Sequence, residues 1–207
     1  MRAYTASFLD EQNTQMIHYL SHYFYLSPYK TNEGIAGYDM AIVVLQDPLV
    51  FDPYRQPLVP CGGLTGLSNV NNLDIWSLGM GLIQSGDEDN DILPTPADFL
   101  MEVQLDEVDE GECRRHYGDQ SPQGSLLCYT DLEGKRREED DKPIGDTCDG
   151  DSGGPLFLVD KQKEAVCVYG VVNYGWDTKC GDKSTTSAAA RVSYYIGLFE
   201  QDGEVGG

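Results

Sequence analysis

The chain has 207 residues, of which 40% are hydrophobic and 24% are charged, and its formal net charge is −21. This length fits a single domain with a substantial core, and no apolar run approaches the roughly 18 residues that a membrane-spanning helix needs. Because phosphate groups are bound by Lys and Arg, so negative a charge argues against nucleic acids and anionic membranes as partners.

Short apolar runs, separated by Gly, Pro, Asn and Asp, follow one another along the chain. This pattern is typical of all-β sandwiches and barrels. We predict strands at residues 41–45, 75–82, 101–105, 155–159, 165–172 and 188–193. Residues 16–24 are ambiguous, because their apolar side chains also fit one face of a helix.

The segments between these runs are predicted to be loops, at residues 82–99, 118–124 and 131–146. Pro94 and Pro96 argue against a long helix in the first of them. Tyr195, Ile196 and Phe199 have helical spacing, which predicts a short helix at the C-terminal end.

Acidic residues form three clusters, within residues 87–91, 106–112 and 138–141. The clusters are interpreted as solvated loops, or alternatively as a negative field that attracts basic substrates or a cation. None has the spacing of a calcium-binding helical loop, and we expect no metal site. Six cysteines in so short a chain favour an oxidising compartment, although many pairings are possible.

Residues 147–155 read TCDGDSGGP, with Ser152 between Gly150 and Gly153. Glycines allow tight, unusual backbone angles, so such a loop can aim a hydroxyl and two backbone N–H groups at one point. That geometry suits a nucleophile beside an oxyanion hole. A plain glycine-rich turn is the alternative.

This run resembles the nucleophile loop of the trypsin/chymotrypsin family of serine endopeptidases, peptidase family S1. The resemblance implies an all-β fold of two six-stranded Greek-key barrels followed by a short C-terminal helix. It also implies that Ser152 is the nucleophile and that the N–H groups of Gly150 and Ser152 form the oxyanion hole. Asp151 matches the acid that pairs with the new α-amino group of an activated chain.

Residues 37–45, GYDMAIVVL, resemble the strand that carries the family's catalytic aspartate. By this resemblance Asp39 orients the catalytic histidine and stabilises its charged form. An Asp before a buried strand costs free energy unless it is hydrogen-bonded. The alternative is that Asp39 is a turn residue at the start of a strand. The same resemblance favours a strand at residues 18–26.

The catalytic histidine of the family has no match. It stands in an Ala-Ala-His-Cys motif well before the aspartate, whereas only 38 residues precede Asp39 and none of them forms that motif. We interpret His18 and His22 as partly exposed strand residues and His116 as part of a surface loop.

The resemblance implies that roughly 50 residues of the family domain are missing before Met1. We expect one domain over residues 1–207, with an incomplete first barrel at about 1–60 and a second barrel at about 61–207. No activation site is visible, and residues 1–15 lack the pattern of a signal peptide.

Asp146 lies six residues before Ser152, where the family has the base of its specificity pocket. An acid there selects Arg or Lys, because a buried carboxylate needs a cationic partner. The alternative is one more acid in an acidic loop. Residues Asn173, Tyr174 and Gly175 resemble a pocket wall that pairs with substrate. Ser187 stands where trypsin-like enzymes keep a glycine, which implies a narrower pocket or a hydroxyl that binds the substrate cation.

The resemblance also implies two disulfides, Cys113–Cys128 and Cys148–Cys180. Cys167 matches a cysteine whose usual partner position is occupied here by Ile75. Cys61 and Cys167 therefore either bond to each other or have each lost a partner.

Taken together, these matches imply a secreted, monomeric, trypsin-like endopeptidase that cleaves proteins or peptides after Arg or Lys without a cofactor. The alternative is a non-catalytic homologue that acts as a binding or regulatory protein. The retained Ser152, Asp39 and Asp146 favour the first hypothesis, and the missing histidine favours the second. We expect little triad-level activity from the 207 residues alone.

Overall fold

The computed structural model of the chain describes residues 2–5, 16–26, 39–53, 56–61, 73–86, 93–117, 122–137, 144–160, 162, 164–175, 179–184, 186–202 and 204–206. The strands in these ranges are β1 (Arg2–Thr5), β2 (Met16–Tyr25), β3 (Ala41–Leu45), β4 (Asp74–Gly79), β5 (Leu82–Gln84), β6 (Thr95–Pro96), β7 (Met101–Glu107), β8 (Leu126–Thr130), β9 (Pro155–Val159), β10 (Ala165–Gly175), β11 (Ser187–Arg191) and β12 (Glu204–Gly206). The helices are α1 (Glu110–Tyr117), α2 (Leu132–Arg136) and α3 (Val192–Asp202).

Six antiparallel strands close into a barrel in the order β10-β11-β8-β7-β4-β9. Side chains alternate between the two faces of each strand, so every strand sends alternate residues into the interior. Ile75, for example, pairs with Leu105 on one side and Leu158 on the other. The most deeply buried members of the core that results are Leu127, Tyr129, Leu156, Leu158, Cys167 and Ala189.

β1, β2, β3 and β12 form a four-stranded sheet in which the other three strands all pair with β2. β1 pairs with the first half of β2 and β12 with its last three residues, while β3 runs antiparallel to β2 from Leu20 to Tyr25. Leu26, at the end of this sheet, packs against Ala190 of β11 and Tyr195 of α3. The predicted all-β class with a short C-terminal helix is confirmed, and the incomplete first barrel and the division near residue 60 stay predictions.

The predicted strand at 75–82 is in fact two strands, β4 and β5, with a corner at Met80 and Gly81. The corner forms because the backbone N–H groups of Gly81 and Leu82 turn towards residues 149–151 and donate hydrogen bonds to the Asp151 side chain and the Asp149 carbonyl. β5 then pairs with β6, so the loop expected at 82–99 contains a short ribbon. The strand expected at 188–193 ends at Arg191, and α3 begins at the next residue, Val192.

Two short helices were not predicted. The acidic residues near position 110 lie in the first turn of α1, where negative charge is favoured by the helix dipole, and Asp109 accepts the Glu112 N–H at 3.0 Å. His116 therefore lies in a helix and not in a loop. Within the loop expected at 131–146, Asp131 caps α2 by accepting the Gly134 N–H. The acidic clusters at 87–91 and 138–141 lie outside the described residues.

All six cysteines are paired in the structure, as Cys61–Cys167, Cys113–Cys128 and Cys148–Cys180. The first pair joins the segment at 56–61 to β10, where the Val168 N–H also donates to the Val59 carbonyl at 2.9 Å. In the described part of the chain, every helix falls short of the length and apolar character that crossing a membrane requires.

The barrel core should dominate the stability of the chain. Leu158 is 1% exposed, and replacing it with Ala should lower the free energy of unfolding by about 2–5 kcal/mol, because the barrel cannot collapse around the cavity. Urea unfolding followed by tryptophan fluorescence measures this loss. The matched control is Val50→Ala, which removes methyl groups from a side chain that is 77% exposed and should change stability by less than about 0.5 kcal/mol. Equal effects of the two variants would contradict the assignment of the core.

Candidate functional site

The loop at 147–155 is a tight turn that depends on its glycines. Gly150 and Gly153 have φ angles of 99° and 83°, values that a residue with a side chain adopts only with strain. Inside the turn the Asp151 N–H donates to the Cys148 carbonyl at 3.0 Å, and the Gly154 N–H donates to the Asp151 carbonyl at 2.8 Å. Ser152 is therefore held at the exposed tip of a rigid loop.

Two further hydrogen bonds fix this loop to β10. The Gly153 N–H donates to the Val172 carbonyl at 2.8 Å, and the Val172 N–H donates to the Gly154 carbonyl at 2.9 Å. The register of β10 against β11 shifts between Val172 and Tyr174, so Asn173 lies in a β-bulge. The Asn173 carbonyl accepts a hydrogen bond from the Ser152 hydroxyl at 3.3 Å.

The backbone N–H groups assigned to an oxyanion hole are available as donors. Neither Gly150 nor Ser152 donates its N–H to an acceptor in the described part of the chain. Such N–H groups stabilise a negative charge best when they are fixed before the charge develops. The rigid turn supplies this condition at Ser152.

A cavity of about 220 Å³, here called the Ser152 cavity, opens beside the loop at 147–155. It brings together five residues that the sequence singled out, namely Asp146, Ser152, Asn173, Gly175 and Ser187. Of Tyr174 only the backbone is described, in β10 and paired with Ala188. The Cys148–Cys180 disulfide forms part of the lining, and the Ser85 hydroxyl accepts the Cys180 N–H at 2.9 Å.

Asp146 lines the Ser152 cavity and also a second cavity of about 260 Å³, which lies on the side of Asp151. Burial raises the pKa of its carboxyl above the ordinary value for Asp. Hydrogen bonds from the Ser187 hydroxyl at 2.7 Å, the Gly181 N–H at 3.2 Å and the Thr147 N–H at 2.8 Å act in the opposite direction, and so does the charge of Lys135. A carboxylate in this state is hydrogen-bonded but still deprived of water, so a bound cation would stabilise its charged form.

Asp151 points away from the Ser152 cavity towards the corner between β4 and β5. Its carboxylate accepts the Gly81 N–H at 2.8 Å and the Cys148 N–H at 2.9 Å. It lines the same second cavity of about 260 Å³, here called the Asp151 cavity, whose apolar wall includes Leu82 and Met101. An acid within an apolar wall is suited to a small cation that carries an apolar group.

Asp39 is not brought into either cavity. It lies at the entry to β3 with an exposed side chain, and partial desolvation raises the pKa of its carboxyl. Residues 37 and 38, which belong to the same motif, lie outside the described residues.

No described histidine lines the Ser152 cavity. His18 and His22 lie in β2 and are both half-buried. His22 shares a hydrogen bond of 3.1 Å with the Ser21 hydroxyl, and its ring contacts Phe24 edge-on at 5.2 Å. The backbone of His116 lies in α1.

Several residues that shape the site are not among those predicted from the sequence. Gly79 and Gly81 leave room for the Asp151 side chain, because a Cβ at Gly79 would lie 1.8 Å from its Oδ1 atom and one at Gly81 would lie 2.6 Å from it. The two glycines on either side of Met80 were a signal that such a close approach exists. Ser85 and Thr147 carried no such signal, since their role depends on partners distant in sequence or on backbone geometry.

Comparison with known proteins gives one family. The Trypsin family model matches residues 4–198. Spermosin from Halocynthia roretzi is 33% identical over 174 residues, which are 80% of this chain and 37% of that protein. Testisin from Homo sapiens is 28% identical over 186 residues, which are 86% of this chain and 52% of that protein. Transmembrane protease serine 11A from Homo sapiens is 30% identical over 170 residues, 80% of this chain and 35% of that protein. The chain thus spans about half the length of these relatives or less.

The space around Asp151 can be tested with a glycine pair. Gly79→Ala places a methyl group on the Asp151 carboxylate, so the side chain must leave its two N–H partners, and stability should fall by about 2 kcal/mol or more. Chemical denaturation gives the loss, and amide hydrogen exchange at Gly81 should accelerate. In the control, Gly197→Ala, the new methyl group meets no atom within 4 Å in a helix, and stability should rise slightly. A Gly79→Ala protein as stable as the parent would refute this account of the corner.

Proposed function

The chain belongs to the trypsin family of serine proteases, and on this premise we propose that the intact protein is a trypsin-like endopeptidase that cleaves after Lys or Arg. One observation carries the proposal. Ser152 and Asp146 both line the Ser152 cavity, so a substrate that places its basic side chain against Asp146 would have its backbone beside Ser152. A nucleophile and a charge-selective pocket are thereby joined in one site.

In the proposed reaction Ser152 attacks the carbonyl carbon of the scissile bond. The N–H groups of Gly150 and Ser152 stabilise the negative oxygen that forms. A histidine outside these 207 residues takes the Ser152 proton and passes it to the leaving amine, and Asp39 orients that histidine. Water, deprotonated by the same histidine, then attacks the acyl-enzyme, which releases the new carboxylate and returns the proton to Ser152. Asn173, Tyr174 and Gly175 pair with the backbone of the substrate.

We assign Asp151 to the activation step. In the structure its carboxylate is occupied by two backbone N–H groups, and the Asp151 cavity beside it is large enough for an apolar side chain. A new α-amino group would supply the positive charge that this carboxylate lacks. The apolar wall at Leu82 and Met101 would hold the first side chain of the activated protein.

The proposed compartment is extracellular. The three disulfides form and persist under oxidising conditions, which supports this assignment. The formal charge of −21 would attract basic protein or peptide substrates and speaks against nucleic acid as a partner. We propose a monomeric protein.

A second candidate is a non-catalytic homologue that binds proteins in the same groove. The observation that favours it is the hydrogen bond from the Ser152 hydroxyl to the Asn173 carbonyl, with no described histidine in the Ser152 cavity. A carbonyl cannot accept the serine proton as a general base does, and a positioned base contributes about 10²–10⁴-fold to the rate.

Reaction with a fluorophosphonate probe distinguishes the two candidates. We expect the native protein, translated from its transcript with a mapped 5′ end and then activated by proteolysis, to be labelled rapidly and stoichiometrically and to hydrolyse peptides after Lys or Arg. The 207-residue chain should be labelled at least about 10²-fold more slowly, because it lacks the base. Ser152→Ala is the control that should abolish labelling in both.

Two outcomes would change the conclusion. Rapid labelling of the 207-residue chain would show that it contains its own base. A native protein that is correctly folded by its disulfides and remains unreactive after proteolytic activation would favour the binding homologue.

A further inference from the structure

The hydrogen bonds already made by Asp146 limit what else it can bind. Each carboxylate oxygen has two good positions for a donor. Oδ1 accepts the Thr147 N–H at 2.8 Å and the Ser187 hydroxyl at 2.7 Å, so both of its positions are filled. Among the residues that the structure describes, only the Gly181 N–H donates to Oδ2, at 3.2 Å. One strong acceptor position therefore remains on this carboxylate, and it is on Oδ2.

Lys and Arg side chains differ in the hydrogen-bond acceptors that they require from a carboxylate. The guanidinium of Arg is a planar fork that donates two parallel N–H bonds, one to each oxygen. The ammonium of Lys is a point charge with three donors that can go to separate acceptors. With Oδ1 occupied, Asp146 satisfies an ammonium fully but a guanidinium only through one arm of its fork.

Ser187 also offers an acceptor to the incoming cation. Its proton is committed to Asp146, so the lone pairs of its oxygen remain for another donor. An ammonium at Oδ2 can give a second N–H to this oxygen, since both residues line the Ser152 cavity.

Ser187 has little freedom to move aside. Its side chain lies in β11 and the residue is only 2% exposed. The neighbouring strands hold its backbone on both sides, because Ser187 pairs with Gly175 of β10 and with Tyr129 of β8. The hydroxyl is therefore a fixed part of the cavity, whose volume is about 220 Å³.

We propose that Ser187 makes the Ser152 cavity selective for Lys over Arg, by filling the acceptor position on Asp146 that a guanidinium fork requires. The inference rests on the proposed function and narrows its substrate class from basic residues to lysine.

The test measures binding and does not need the catalytic base. The 207-residue chain is titrated by calorimetry with n-butylammonium and n-butylguanidinium, which carry the same alkyl chain and differ in the charged group. We expect n-butylammonium to bind about tenfold more tightly, the effect of one charge-assisted hydrogen bond. In Ser187→Ala one acceptor position on Oδ1 becomes free, so n-butylguanidinium should gain affinity. The ratio of the n-butylammonium affinity to the n-butylguanidinium affinity should then fall to one or below. Ser187→Gly should behave in the same way and serves if the Ala variant unfolds.

Asp146→Asn separates failure of this inference from failure of the proposed function. One possible result is that both ligands bind to the parent, that Asp146→Asn abolishes this binding, and that the parent binds n-butylguanidinium at least as tightly as n-butylammonium. This result refutes the role of Ser187 and leaves the basic pocket supported. A ratio that Ser187→Ala and Ser187→Gly leave unchanged refutes it as well. If neither ligand binds, or if Asp146→Asn binds both as tightly as the parent, the basic pocket of the proposed function is overturned and the selectivity falls with it.

Discussion

The contact of the Asp151 carboxylate with the backbone of Gly81 and Cys148 is the constraint on which the site depends. It links the loop at 147–155 to the corner between β4 and β5, two segments that are far apart in sequence. Charge-assisted bonds to backbone N–H groups are short and directional, so they fix both partners. One result is that Ser152 faces one cavity while Asp151 faces another. A second is that the run at 75–82 is broken into two strands, because the corner backbone bonds to the loop instead of continuing in the sheet.

This strongly acidic chain holds two carboxylates in partly buried positions next to its cavities. Asp146 and Asp151 are each held by hydrogen bonds, which offset part of the cost of removing a charge from water. Neither has a full positive partner in the described residues, since Lys135 acts on Asp146 only at longer range. In both cases the missing partner is proposed to be a cation from outside, a substrate side chain at Asp146 and an α-amino group at Asp151.

Much of the fold could be predicted because it is encoded locally. The apolar runs at 41–45 and 155–159 are strands with those bounds, and the helical spacing of Tyr195, Ile196 and Phe199 lies within α3. The failures are local patterns that the tertiary structure overrides. Leu126–Thr130 was not assigned to a strand, because it is buried on both faces and so lacks the alternation that reveals a half-exposed strand. β12 pairs with β2 although almost the whole chain separates them.

The sequence by itself determined the turn around Ser152, the family, and the six-residue spacing from Asp146 to Ser152, since these depend on residues close to one another along the chain. Only the tertiary structure decided that Cys61 bonds to Cys167, 106 residues away, and that the Ser187 hydroxyl donates to Asp146 across 41 residues. It also placed Asp39 outside both cavities. The physical reason is that such contacts exist only once the barrel has closed, and the closing sheet brings together strands whose separation in sequence carries no local signal.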